Sequence, residues 1–296
     1  MPAKPATPAQ PSTRLLQALV LNAISLFRRN DARSVTFIEA FELALGVFGR
    51  VGIEASDTEA SSAHDREVRR RCWWTLRKLN DQLILATGSE RGELASISDV
   101  AVPLNINDID LTLAMDEMPT ARTGSTAMSF YLVNLKAIQL TAALKLLGGA
   151  GHPSKSIRSV QLRRRSLVEN AVGEIEREFL RHCDTSRPLD WFLMLTTKAI
   201  LNPIEIMMLD EGMEQPKCTG AVTQDSKEDQ KFLLRLDVVE CWHLLKSNEN
   251  LKSWRWFLDT LAQAFTVGDL QADLVKHPES AYSDRAYELI KLISHG

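Results

Sequence analysis

Apolar residues recur along most of this chain at the three- and four-residue intervals of amphipathic helices. Nowhere do β-branched residues alternate with polar ones for more than a few positions, so strand signals are nearly absent. The pattern therefore predicts an all-α fold, an irregular multi-helix bundle. The predicted helices cover residues 13–29, 34–50, 64–87, 125–147, 154–183, 188–208, 227–247, 251–275 and 281–294.

One long segment, about 88–125, lacks helical spacing and is predicted to be non-helical. It holds glycines at positions 88, 92 and 124 and prolines at 103 and 119. Long loops inside compact domains usually cover or form a binding or active site, so this segment is interpreted as a lid. Residues 1–13 contain four prolines and are predicted to be disordered. Because composition does not shift afterwards, residues 14–296 are predicted to form a single domain.

Charge and cysteine content indicate what the protein binds and in which compartment it is located. A net charge of −3 argues against a surface that binds nucleic acid through bulk phosphate electrostatics. Four scattered cysteines, with no apolar leader and no apolar run of membrane-spanning length, favour a reducing intracellular compartment and no membrane association. A nuclear or a cytoplasmic location fits these features.

The stretch from Glu67 to Asp81 is predicted to be a helix, called here the motif helix, with a buried stripe of Val68, Cys72 and Leu76. Arginines near the start of a helix oppose its dipole and need acidic partners. Asp108 and Asp110 are the candidate partners of Arg69 and Arg70. We interpret these four residues as a structural clamp that docks the 88–125 segment over the motif helix.

Aromatic and charged residues of the same helix are candidates for a ligand pocket. Trp73 and Trp74 could line a pocket, with Arg70 stacked on an indole ring, although aromatic residues at helical spacing more often belong to a core. Asp81 could transfer a proton as a buried carboxylate, or it could form a hydrogen bond that anchors a helix end or loop. The structural alternative is favoured in each case.

Common catalytic signatures do not occur in the sequence. It contains no phosphate-binding glycine loop, His-Glu-x-x-His, Gly-x-Ser-x-Gly or dinucleotide fingerprint. His182 and Cys183 are adjacent, so on a helix they point in different directions, and no further ligand-spaced residues accompany them. Catalytic residues are therefore unknown, and neither a metal nor a cofactor is expected.

Four regions of the chain form a recognisable series: Glu67–Asp81 with Val102–Asp110, Pro119–Phe130, Glu178–Trp191, and Ser253–Gln263 with Asp284–Tyr287. In the same order, these regions resemble the regulatory region of fungal zinc binuclear cluster transcription factors, often called the middle homology region. The resemblance covers most of residues 14–293. It implies an all-α regulatory domain located in the nucleus. A member of that family also carries six closely spaced cysteines that hold zinc and read DNA, and with four cysteines this chain is expected to lack that module.

Three functions from different classes follow. The first is a regulatory domain that controls a fungal secondary-metabolism gene cluster through a small apolar effector or a homo- or heterodimeric partner, with no specific DNA binding of its own. The second is a recruited enzyme of secondary metabolism that confines an apolar terpenoid or polyketide for cyclisation or cycloaddition. The third is a non-catalytic scaffold or binding protein. The resemblance favours the first, although function depends on sites more than on folds.

Overall fold

Regular structure in the computed structural model is helical wherever the chain is described, and no strand occurs there. The described residues are 13–28, 43–44, 62–87, 100–113, 115–148, 157–210, 224–258 and 265–295. This confirms the predicted all-α fold. Residues 1–12, most of the predicted helix 34–50, and residues 88–99 of the long non-helical segment lie outside the described residues.

The described helices follow the predicted ones in order. The described residues of 100–128 contain no α-helix and one 3₁₀ turn, at Asp108–Asp110, so the described part of the long segment lacks an α-helix, as predicted. Further 3₁₀ turns lie at Leu180–His182 and Glu249–Trp254. The α-helices are α1 (Thr13–Arg28), α2 (Ala63–Thr87), α3 (Ser129–Gly148), α4 (Ile157–Glu178), α5 (Pro188–Asp210), α6 (Gln224–Ser247), α7 (Arg255–Leu258), α8 (Val267–Lys276) and α9 (Ser283–His295).

Two predicted boundaries are wrong. The helix predicted from Ser125 begins at Ser129, because residues 122–127 are held in a loop by side-chain hydrogen bonds described below. The single helix predicted over 251–275 is interrupted. The Thr266 side chain accepts a hydrogen bond from the Asp269 amide, and the Asp269 carboxylate accepts one from the Thr266 amide at 2.7 Å, so this capping box starts a new helix, α8.

Contacts between Cα atoms divide the chain into two compact units. Unit 1 comprises Met1–Arg122 and Thr126–Met128, and unit 2 comprises Thr123–Ser125 and Ser129–Gly296. The single domain over residues 14–296 stays a prediction.

Unit 1 is built on the packing of α1 against α2. Their apolar stripes meet because residues three and four positions apart lie on one face of each helix. Fully burying a valine or leucine side chain in such a core contributes about 1.5–3 kcal/mol to the free energy of unfolding. The shared core contains Leu16, Val20 and Ala23 of α1 and Val68, Cys72, Trp73, Leu76 and Leu79 of α2.

Unit 2 is organised around α5 and α6. One cluster joins α5 to α6 through Phe192, Val238 and Trp242. A second joins α6 to α8 and α9, and a third joins α5 to α3 and α4. The second cluster contains Phe232, Leu236, Val239, Leu270, Ala286 and Leu289. The third contains Ala137, Leu140, Leu144, Ile204 and Met208, with Leu167 and Val168 packed against it.

Within the described part of the chain, two helices are long and apolar enough to cross a membrane, judged by length and composition alone. They are α3, over Ser129–Leu147, and α5. Core helices of soluble proteins pass the same test, and 56% of the apolar window of α5 is buried inside the fold. The expectation that the chain has no apolar run of membrane-spanning length is therefore wrong for α3 and α5, although by themselves they are weak evidence for a membrane span.

Candidate functional site

Among the described residues of unit 1, Glu67 on the motif helix carries a side chain that is fully inaccessible to solvent. Its Oε1 atom accepts hydrogen bonds from Nε of Arg71 at 3.0 Å and from the Leu104 amide at 3.1 Å. Its Oε2 atom is buried without a hydrogen-bond partner. Burial therefore raises the pKa of Glu67 above its ordinary value, although Arg71 and the Leu104 amide act in the opposite direction.

Arg71 links the motif helix to the loop that follows it in unit 1. Its Nη1 atom donates to Oδ1 of Asp108 at 2.8 Å, while its Nε atom holds Glu67. The Asp108 side chain is 78% exposed, whereas that of Arg71 is 21% exposed. One guanidinium group thus joins a buried carboxylate on α2 to an exposed carboxylate on the loop.

The other predicted clamp residues have different described partners. Asp110 pairs with Arg122, and its Oδ2 accepts the Asn107 amide at 3.0 Å, which closes the 3₁₀ turn. Arg69 donates from Nε to the Thr13 hydroxyl at 3.4 Å, which joins α2 to α1. The pairing of Arg69 and Arg70 with the two aspartates stays a prediction, and Arg71 was not among the residues predicted for this role.

Two asparagines of unit 1, which the sequence analysis also missed, fix the end of the long loop. Asn105 donates from Nδ2 to the Arg122 carbonyl at 2.8 Å and accepts the Thr126 hydroxyl at 2.7 Å. Asn107 accepts the Ala127 amide at 2.9 Å. Asparagine inside an irregular segment is the signal that could have identified them, because its side chain competes with backbone for hydrogen bonds.

The predicted pocket residues of the motif helix have structural contacts. Trp73 is 3% exposed and belongs to the unit 1 core. Trp74 donates from Nε1 to the Ala101 carbonyl at 2.9 Å. Asp81 lies within α2 and accepts Nε of Arg77 at 3.3 Å. Burial raises the pKa of Asp81, although Arg77 lowers it. A ligand role for these residues and for Arg70 stays a prediction.

A different feature, in unit 2, has the dimensions of a ligand site. It is a groove with a cavity volume of about 750 Å³, bordered by α3, α4 and α5, and we call it the unit 2 groove. Pockets that bind drug-sized molecules commonly measure about 300–1,000 Å³. Its lining residues are Leu140, Arg165, Val168, Glu169, Val172, Gly173, Glu176, Leu180, Met194, Thr197, Lys198, Leu201, Asn202, Ile204, Glu205, Met208 and Leu209.

The floor of the unit 2 groove is mostly aliphatic, with two buried polar side chains on α5. Thr197 is 1% exposed and donates from its hydroxyl to the Leu193 carbonyl at 2.7 Å. Asn202 is 7% exposed and donates from Nδ2 to the Leu234 carbonyl at 3.3 Å. On α4, a Cβ atom at Gly173 would meet nothing within 4 Å, so this helix leaves open space at the groove.

Charged side chains surround the groove on α4 and α5. Lys198 pairs with Asp237 at 2.8 Å, and Glu205 accepts Nε2 of Gln230 at 3.3 Å. Glu169 and Glu176 are exposed on α4, where Arg165 also borders the groove. These side chains together combine an apolar floor with a charged rim, which suits binding of an amphipathic molecule.

His182 and Cys183, for which the sequence predicts no metal site, have structural contacts. Cys183 Sγ donates to the Phe179 carbonyl at 3.5 Å, and burial raises its pKa to about 11, so the thiol is protonated at neutral pH. The His182 Cβ lies against Gly124, where an added Cβ would come within 3.0 Å of it. Across the described ranges, no group of three His, Cys, Asp or Glu side chains is placed to hold a metal ion.

The groove was missed because its lining residues carry the same helical spacing as any core stripe. Val168, Val172 and Leu201 would each be assigned to a core by periodicity alone. One available signal was Gly173 in the middle of a helix, a position where glycine costs about 1 kcal/mol relative to alanine.

Comparison with known proteins gives relatives of one kind. No family model matches the chain, and no solved structure matches it significantly. The transcriptional regulator AacuB of Aspergillus aculeatus is 23% identical over 92% of this chain and 37% of its own length. The C6 finger domain transcription factor nscR of Aspergillus fumigatus is 26% identical over 95% of this chain and 37% of its own length.

A third relative is a pyriculol/pyriculariol biosynthesis cluster transcription factor of Pyricularia oryzae. It is 23% identical over 94% of this chain and 38% of its own length. The chain therefore spans less than half the length of these relatives. The resemblance found in the sequence is confirmed: nearly the whole chain is similar to a region of fungal C6 zinc cluster transcription factors, among them regulators of secondary-metabolite gene clusters.

Proposed function

We propose that this chain is the regulatory region of a transcription factor that acts in the nucleus on a fungal secondary-metabolite gene cluster, and that a small-molecule effector binds in the unit 2 groove. The relatives support the transcriptional role because they match almost the full chain. The groove supports the proposed binding of an effector because it offers about 750 Å³ of largely aliphatic space. A homo- or heterodimeric partner is compatible with the same role.

The groove does not favour the enzyme alternative. Its buried polar side chains are a threonine and an asparagine, and neither is paired with a general base in the described structure. A nucleophile needs a base within hydrogen-bond reach to be activated. We therefore propose binding, without chemical conversion, as the function of this groove.

Native mass spectrometry tests the effector proposal on the chain purified from a filamentous fungus grown under conditions that induce secondary metabolism. The variant Gly173→Phe places a ring where the structure has open space, so it should fill the groove without disturbing the fold. Leu162→Phe, at a 58% exposed position of the same helix, is the matched control. A small-molecule mass retained by the wild type and Leu162→Phe but absent from Gly173→Phe is expected, and equal retention by all three would contradict the proposal.

The transcriptional role has a separate test. The full chain fused to a heterologous DNA-binding domain should change the output of a reporter gene in a fungal host, and Gly173→Phe should remove the dependence of that output on added culture extract. The chain alone should bind promoter DNA only weakly and in a salt-sensitive manner in fluorescence anisotropy, because it is slightly acidic. Sequence-selective binding at nanomolar concentration would show that these residues read DNA.

A further inference from the structure

We infer that two copies of this chain pair through the outer face of α4, with the two helices antiparallel and related by a twofold axis. A homodimeric partner is compatible with the proposed function, and the inference rests on that function for its biological role. The contact surface is a row of residues spaced alternately by four and three positions, called here the outer stripe. It consists of Arg158, Leu162, Arg165, Glu169, Val172 and Glu176. This spacing places them on one side of the helix, over about 27 Å of its length.

The outer stripe faces away from the core of unit 2. Leu162 is 58% exposed and Val172 is 39% exposed. Ile175 and Phe179, on the inner side of α4 or directly after it, are buried. The two exposed aliphatic side chains therefore offer apolar surface that a partner helix can remove from water.

The charges of the outer stripe differ in their pairing from other carboxylates of the same helix. Glu174 and Glu178 both pair with Lys136 of α3, at 2.9 Å and 3.2 Å. The two arginines and two glutamates of the outer stripe form no ion pair with another residue of the described ranges. These four charges are therefore available to a partner.

The order of residues makes the outer stripe complementary to itself in the antiparallel direction. In an antiparallel pair centred level with position 167, each residue faces the one that lies equally far on the other side of the centre. Arg165 then faces Glu169 of the second copy, and Leu162 faces Val172 of the second copy. Twofold symmetry repeats each contact, as in other isologous dimers.

Charge decides between the antiparallel and the parallel pair. In a parallel pair with the same residues aligned, Arg165 would meet Arg165 and Glu169 would meet Glu169, and like charges placed opposite each other repel. In the antiparallel pair Arg158 faces Glu176 at the exposed ends, where an ion pair contributes little. Exposed ion pairs thus select the direction and register more than they add affinity. Because one helix face per copy is a small interface, we expect a weak dimer that depends on concentration.

The outer stripe also borders the unit 2 groove, so a second copy of α4 would lie along that edge of the groove. Leu162 does not line the groove, so Leu162→Phe remains a control for effector retention whatever its effect on pairing. Four residues of the stripe line it: Arg165, Glu169, Val172 and Glu176.

Sedimentation velocity of the full chain, at several concentrations, tests the pairing through charge reversal. The mass of the wild type should rise from one chain towards two. Arg165→Glu and Glu169→Arg each place like charges opposite one another in both symmetry-related contacts, so each should weaken self-association at least about tenfold. An equimolar mixture of these two variants should associate like the wild type, because each supplies the charge that the other needs. The double variant should also self-associate.

The matched control is Arg163→Glu, which makes the same change of charge on the same helix. Arg163 is exposed and lies about 200° around the helix axis from Arg165, so its reversal should not change self-association.

Cysteine cross-linking tests the register. A mixture of Leu162→Cys and Val172→Cys should form an intermolecular disulfide on oxidation, because these positions face each other. Either variant alone should form no more than the wild type, since two copies of one position lie about 15 Å apart along the axis.

The outcomes separate this dimer from the effector site. A wild type that stays monomeric, or charge reversals that leave self-association unchanged, would overturn the dimer. Extra disulfide in either cysteine variant alone would overturn the antiparallel register. Retention of a small molecule, lost in Gly173→Phe, would support the effector site even without pairing, and pairing without retention would support the dimer alone. Far-ultraviolet circular dichroism shows whether a variant that fails to pair has lost helix.

Discussion

Glu67 in unit 1 and Asn202 in unit 2 are both buried polar side chains on long helices, but their hydrogen bonds differ in kind. The Oε1 atom of Glu67 accepts donors from its own helix and from the following loop, so it ties two segments together. Asn202 bonds one neighbouring helix and lines an open groove. The Glu67 carboxylate thus joins two segments of the fold, whereas the Asn202 side chain also borders open space that a ligand could enter.

Substitution of Arg71 should have the largest effect, and it tests whether Glu67 depends on its pairing within unit 1. Arg71→Ala leaves the fully buried Glu67 carboxylate without its cationic partner, and the free energy of unfolding should fall by about 3 kcal/mol at pH 7. Arg158→Ala, at an exposed arginine of α4, should stay within about 0.5 kcal/mol of the wild type. Urea denaturation measures both, and an equal effect would show that Glu67 does not depend on this pairing.

Two glycines of unit 2 give the next largest effects, with opposite signs. Gly124 has a φ angle of +91°, and an added Cβ would lie 3.0 Å from His182 Cβ, so Gly124→Ala should lower the free energy of unfolding by about 2 kcal/mol. Gly173→Ala should raise it by about 0.5–1 kcal/mol, because alanine favours a helix and meets open space there. Thermal denaturation of the two variants measures these changes. A lower free energy of unfolding for Gly173→Ala would contradict the open space at the groove.

The raised pKa of Glu67 predicts a pH dependence. The folded state binds the proton more readily than the unfolded chain, so this stabilisation is complete below the ordinary pKa of 4.5 and is lost as pH rises through the folded pKa. Glu67→Gln stays neutral, so its free energy of unfolding relative to the wild type should increase between pH 4.5 and pH 7.

A matched carboxylate in unit 2 should behave in the opposite way. The hydrogen bond from Lys136 lowers the pKa of Glu174, so Glu174 stabilises the fold above its ordinary pKa and loses that contribution as pH falls. The free energy of unfolding of Glu174→Gln should therefore decrease relative to that of the wild type as pH rises. Denaturation curves at several pH values check both variants, and slopes of the same sign would contradict the assignment.

The smallest expected effect concerns the exposed end of the Arg71 bridge. Asp108→Ala removes a carboxylate that is 78% exposed, and an exposed ion pair contributes only about 0–1 kcal/mol to the free energy of unfolding. A double-mutant cycle between positions 71 and 108 measures this coupling directly. A coupling well above 1 kcal/mol would mean that the loop end of the bridge is as important as the buried end.

Helical spacing in the sequence determined the all-α fold, the order of its helices and the absence of an α-helix from the described residues of 100–128, because side-chain periodicity is a local property. The four segments that resemble fungal zinc cluster transcription factors predicted the kind of protein to which the chain is similar. Tertiary structure decided that Asp108 bonds Arg71, since residues 69, 70 and 71 face different directions on one helix and only the approach of the loop selects among them. It also decided that Asn202 borders a groove, because that space exists only where three helices leave it unfilled.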